Sequence, residues 1–307
     1  MMKQKIELID FNLISTYFGK YLTVFVTLVV FAITAGALLS NESGVGGVLK
    51  IAVSMGDASE DLLERFEPFG TLLSSHVRRA VEIVPYSEDE RDIDLYIMSL
   101  DRFLDARRDL HLVPLRSLVD YVANEDIAVV ITAASNESIE YNLLTISDVA
   151  FTDSISPNGF WLPLEDLEKR GFQLPERLDR LRFEGSDNHS CRIVLGVQWN
   201  RYTLGACCMS DLIHLEQHGL LARDEIRIVS QMDALPEVLF AAPQAKAAHL
   251  EDALAHVDDV LLSRDAPRGL RAAVAEMQAA GFRRLLPVDD GQIRRAEKLA
   301  RYVSARF

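Results

Sequence analysis

The residues best suited to chemistry stand in one run, VAFTDSISPNGFWLPLEDLEKRGF, at positions 149–172. Val149, Ala150 and Phe151 read as a buried strand, followed by a polar turn and a helix. Ser156 suits the N-cap, Pro157 the first helical position, and Gly159 lets a ligand come close to the backbone. Such a turn aims free backbone N–H groups and the positive end of a helix dipole at one spot. That spot binds phosphate, phosphonate or carboxylate without needing a lysine. The chemistry is capture rather than bond-making. No nucleophile elbow, P-loop or legible pair of catalytic carboxylates accompanies the turn, so neither an enzyme nor a cofactor is expected.

The elements that must position this turn alternate between strand and helix. Strands are expected at 48–54, 81–84, 110–113 and 127–132, with helix over 61–66 and 92–108 and a helical turn at 117–122. From 149 a second unit runs through helix 164–170, strand 181–183, helix 190–198, strand 203–207, helix 210–218 and strand 227–229. Helices over 267–280 and 290–304 close the chain. That alternation predicts an α/β fold of mostly parallel sheets flanked by helices, with ligands at the carboxyl ends of the strands. Met55, at the end of the first strand, then falls on a cleft rim, and Tyr202 has the amphipathic character of a cleft-lining residue. Asp211, His214 and His218 share a helix face at zinc-compatible spacing, but without an accompanying motif they read as a solvated face, and no metal is expected. Cys207 and Cys208 read as small buried strand residues, with a vicinal or Cys191-linked disulfide as the other reading.

The turn Thr152-Asp153-x-x-Ser156-x-x-Gly159-x-x-x-Pro163 resembles the anion-binding turn of phosphonate/phosphate-type solute-binding proteins of ABC transporters. Further stretches follow in that family's order: 49–53 as the opening strand, 183–186 as a second-lobe strand and loop, Gly205-Ala206, and 226–240 as the return strand. The resemblance implies the two-lobed type 2 periplasmic-binding-protein fold. Lobe 1 is then expected from 48–142 and 236–307, and lobe 2 from 143–235. It also places Ser156, Asn158, Gly159, Asp187, His189 and Thr203 at the ligand. Four departures stand out. Pro157 and Asn158 replace hydroxyl residues of the family turn, removing one backbone donor. Asp187 stands where the family often has histidine, with His189 two residues later; a carboxylate there repels an anion or favours a cationic group. Thr203 stands where members with aminophosphonate ligands carry an acid. Only 138–147 separates the strand at 127–132 from the one at 149, so the crossing is trimmed.

Composition sets the address. The chain has 307 residues with 46 acidic against 32 basic, a net charge of −14 that argues against nucleic acid as a partner. Positions 21–41 carry no charge, a run long enough at about 1.5 Å per residue to span a bilayer core. Lys3, Lys5 and Lys20 precede it, which puts 1–20 in the cytoplasm and the rest outside. The expected plan is a leader at 1–20, a transmembrane anchor or signal segment at 21–40, and a flexible linker at 41–47. The reading is a membrane-tethered protein that captures a small anionic solute and presents it to a permease and ATPase. Its alternative is a periplasmic sensory or docking domain that works with a signalling membrane protein.

Overall fold

The computed structural model describes residues 47–54, 60–87, 92–119, 127–139, 148–173, 181–184, 189–263, 265–280 and 282–307. The expected leader and anchor, Met55 and Asp187 lie outside the described residues. Among those described, no helix is long and apolar enough to cross a membrane.

Two sheets carry the fold. The first has the order β11-β4-β10-β3-β1-β2, from β1 (Leu49–Ser54), β2 (Val81–Pro85), β3 (Leu95–Ser99), β4 (Leu112–Val119), β10 (Val238–Pro243) and β11 (Arg284–Pro287). The second has the order β7-β6-β8-β5-β9, from β5 (Ile127–Ala133), β6 (Val149–Phe151), β7 (Arg182–Phe183), β8 (Leu204–Cys208) and β9 (Ile226–Asp233). The sheets are mixed rather than mostly parallel. β1 is parallel to β2 and β3, and β6 to β7 and β8; the pairings of β4, β5, β9, β10 and β11 are antiparallel. The cause is the double crossing between sheets. β10 returns through 234–237 and inserts between β3 and β4 against their direction.

Local sequence explains most elements and some departures from expectation. The run 95–99, expected inside a helix, is a strand: Leu95, Tyr96, Ile97 and Met98 are buried on both faces, and a continuous apolar run does not declare its period. Helix α2 (Leu100–Ala106) begins only after it. Where a short strand at 110–113 and a helical turn at 117–122 are expected, 112–119 form one strand, β4, whose ladder with β10 shifts register beside Pro114, a residue without a donor. β5, expected in lobe 1, pairs with β8 and β9 in the second sheet, so the lobe change precedes it.

Helix α1 (Glu60–Val77) and helices α6 (Ala247–Leu262) and α7 (Arg271–Ala279) cover one face of the first sheet through Phe66, Phe69, Leu254 and Met277. On the second sheet, α4 (His189–Gln198) and α5 (Met209–Gln217) bury Ile193, Val194 and Leu215 against Val129 and Ile131. The remaining faces of both sheets share one core. It joins Leu100 and Phe103 of α2 to Phe160 and Trp161, to Leu164 of α3 (Leu162–Lys169), and to the last helix, α8 (Asp290–Arg306). Asp289 caps α8 by accepting from Gly291 and Gln292 N–H while Gln292 returns the bond, and Ile293, Ala296 and Leu299 form its buried stripe.

Because this core crosses both sheets, Leu299→Ala is expected to cost about 2–5 kcal/mol and to lower the stability of both lobes together in one urea transition. Far-ultraviolet circular dichroism and tryptophan fluorescence should report the same shifted midpoint; separate transitions would contradict a shared core.

Candidate functional site

The turn after β6 is built as a widened, π-type helical turn, Pro157–Trp161, which runs directly into α3. The N–H groups of Phe160 and Trp161 both donate to Ser156 O at 3.1 Å. Gly159 is required by a close approach: a Cβ there would lie 1.9 Å from Thr152 Oγ1. Phe160 then packs edge-on against Phe151 and Phe183, fixing the turn over the carboxyl end of β6.

The donors expected to face a ligand are engaged within the fold. Asp153 Oδ1 accepts the N–H of Ile155 at 2.9 Å and of Ser156 at 2.8 Å. Ser156 Oγ accepts the Gly159 N–H at 2.9 Å, the capping role its type predicts. Asn158 is only 3 % exposed, and its amide pairs with the link between sheets. Its Nδ2 donates to Leu235 O at 2.8 Å, its Oδ1 accepts from Leu235 N–H at 2.8 Å, and Nδ2 also lies 3.1 Å from Glu237 Oε1. The Glu237 carbonyl accepts the N–H of Leu100 at 3.0 Å, so the link joins the turn to the start of α2. Glu237 is exposed, and Cys208 Sγ at the carboxyl end of β8 lies 4.0 Å from its Oε1.

Tyr202 and Thr203 are not brought to this turn. Thr203 N–H donates to Asp148 O at 2.8 Å, and β8 runs parallel to β6, so Thr203 sits at the amino end of the sheet. Tyr202 is 1 % exposed and donates its hydroxyl to the Glu184 carboxylate, while Arg182 and Arg201 lie over its ring. Burial alone would raise the Glu184 carboxyl; hydrogen bonds from Tyr202 and Arg182 and the charge of Arg201 outweigh it and hold Glu184 below the usual carboxylate range. His189 opens α4, and its side chain lies outside the description. His218 Nδ1 is 2.8 Å from His214 O, and among the described residues no three ligating side chains are placed to hold a metal. Cys191, Cys207 and Cys208 form no disulfide, and burial pushes the Cys207 thiol well above its ordinary value.

A cavity of about 370 Å³ opens at the carboxyl ends of β1 and β3, where Ser54 and Met98 are register partners. Tyr86, Arg102, Asp105 and Asp109 complete its polar wall. Arg102 and Tyr86 were not among the residues expected from the sequence. Their signal was only positional, next to strands whose ends a binding cleft uses.

The sequence profile of the family described as "ABC transporter, phosphonate, periplasmic substrate-binding protein" matches residues 51–290. The chain belongs to this family. Solved structures agree on the fold of this phosphonate-type binding protein. XAC2383 from Xanthomonas citri, bound to ATP, aligns with a TM-score of 0.55 at 14% identity, over 84% of this chain and 97% of that one. PhnD1 from Prochlorococcus marinus, in complex with methylphosphonate, gives 0.53 at 15% identity over 84% and 98%. A binding protein component of an ABC phosphonate transporter from Pseudomonas aeruginosa gives 0.52 at 13% over 84% and 86%. No curated protein matches the chain in sequence. The family's role is substrate capture for transport, not catalysis.

Asn158→Ala removes the amide and leaves a buried N–H and C=O of Leu235 without partners, so it is expected to cost about 2–4 kcal/mol in urea unfolding. Ser156→Ala, which removes one capping oxygen, should cost about 1 kcal/mol. Equal costs for the two would contradict the structural role assigned to Asn158.

Proposed function

We propose that this chain is a membrane-tethered solute-binding protein that takes a small, phosphonate- or phosphate-like anion between its two lobes for an ABC-type uptake system. The observation that carries this reading is the cavity at the carboxyl ends of β1 and β3, with Arg102 in its wall. A guanidinium there supplies a charged, forked donor set for an oxyanion, against the repulsion of the Asp105 and Asp109 carboxylates in the same wall. The Ser156–Gly159 turn contributes the shape and dipole of the facing lobe, with Asn158 holding it in place rather than offering its amide. Met55, Asp187 and His189 remain proposed contacts; Tyr202 and Thr203 serve the second sheet instead. The tether is the apolar run at 21–40, which leaves the lobes on the periplasmic side.

One observation favours a second reading, a sensory or docking domain that keeps the fold and works with a signalling membrane protein. Two carboxylates, Asp153 and Glu237, flank the turn, and its Ile155, Ser156 and Gly159 N–H groups already have internal acceptors. A free anion at the turn itself must compete with them.

Thermal melting of the full-length chain in detergent against phosphate, phosphite, methylphosphonate, sulfate and small carboxylates separates the two. Under the first reading one anion at 100-fold over its Kd stabilises by about 2.7 kcal/mol, and Arg102→Ala abolishes the shift. No shift with any anion would overturn it in favour of the second.

A further inference from the structure

We propose that α8 is a clasp between the lobes, holding them at a fixed angle through the Tyr302–Glu168 hydrogen bond near its carboxyl end and the Glu297–Arg107 ion pair at its middle. The two contacts point to different lobes. Arg107 follows α2 and belongs to the first sheet's layer; its Nη1 lies 2.5 Å from Glu297 Oε1, with both side chains about two-thirds shielded from solvent. Glu168 belongs to α3, which extends the turn over the second sheet, and its carboxylate accepts the Tyr302 hydroxyl. A third contact, Arg295 Nη1 to Asp233 O at 3.4 Å, reaches the end of β9. Along the same helix, Ile293, Ala296 and Leu299 lie in the core that contains Leu100 and Phe103 on one side and Phe160, Trp161 and Leu164 on the other.

A rotation of one lobe against the other therefore has to part α8 from α2 or from α3. A chain crossing between the lobes such as 234–237 would by itself permit such a rotation at the cost of a few dihedral changes. With α8 across the lobes, opening also exposes apolar surface and breaks a charge-assisted hydrogen bond. Burial, reinforced by the neighbouring Glu168 carboxylate, pushes the Tyr302 hydroxyl above its ordinary value, so it stays a donor throughout the physiological range.

The test needs no solute and so is independent of what the cleft binds. In the full-length chain in detergent, nitroxide labels are placed through ketone-bearing residues at exposed Glu64 of α1 and Arg192 of α4, and the distance distribution is measured by pulsed electron resonance. The solute-free wild type is expected to give one narrow distribution. Tyr302→Phe, which keeps the ring and its packing, and Glu168→Ala should each shift it to longer and broader distances while circular dichroism stays native. An unchanged distribution in the natively folded Tyr302→Phe chain overturns the proposal, and so does a broad distribution in the wild type.

Discussion

One buried amide ties this architecture together. Asn158 meets the backbone of Leu235 with a donor and an acceptor at once, as a neighbouring strand would, and both bonds are 2.8 Å. The link at 234–237 forms no ladder of its own, so its polar groups need partners from elsewhere once they are buried. Asn158 supplies them for Leu235, and Leu100 N–H takes the carbonyl of Glu237. The turn must then sit close against β6, which is why a glycine faces Thr152 and why the helical turn is widened by one residue. β10 enters the first sheet from this pinned point, and its insertion between β3 and β4 sets the mixed character of that sheet.

The same constraint shapes what the turn does for a ligand. A backbone N–H satisfied by Asp153 or Ser156 is not a free anion donor, and the helix-end dipole is worth only about 0.3–1 kcal/mol by itself. On the first lobe, Arg102 lines a cavity of about 370 Å³ together with Asp105 and Asp109, and the proposed recognition rests on that side chain. Among proteins that share this fold, one holds ATP and another methylphosphonate, so the scaffold accommodates unlike ligands.

Much of this was legible in the sequence. The strand–turn–helix at 149–172 announced itself through Ser156, Pro157 and Gly159, each restricted by backbone geometry to a few positions. The order of motifs along the chain gave the two-lobed fold. Local pattern failed where burial is two-sided: Leu95-Tyr96-Ile97-Met98 has no polar face to reveal its period. It failed again where partners are distant in sequence. Asn158 and Leu235 are 77 positions apart, and nothing near Asn158 shows that its amide serves a link rather than a solute. Tyr202 looked like a cleft residue because its amphipathic type suits one, yet its hydroxyl is answered by Glu184 inside the second lobe.

The most direct test of this account is native-state hydrogen exchange at the amide of Leu235. An N–H held in a buried pair with Asn158 is predicted to exchange only through global unfolding, as slowly as the core amides of β5 and β8, with or without added anion. Exchange at the rate of an open loop would show that the link is not pinned, and the turn after β6 would then regain its amide as a ligand donor.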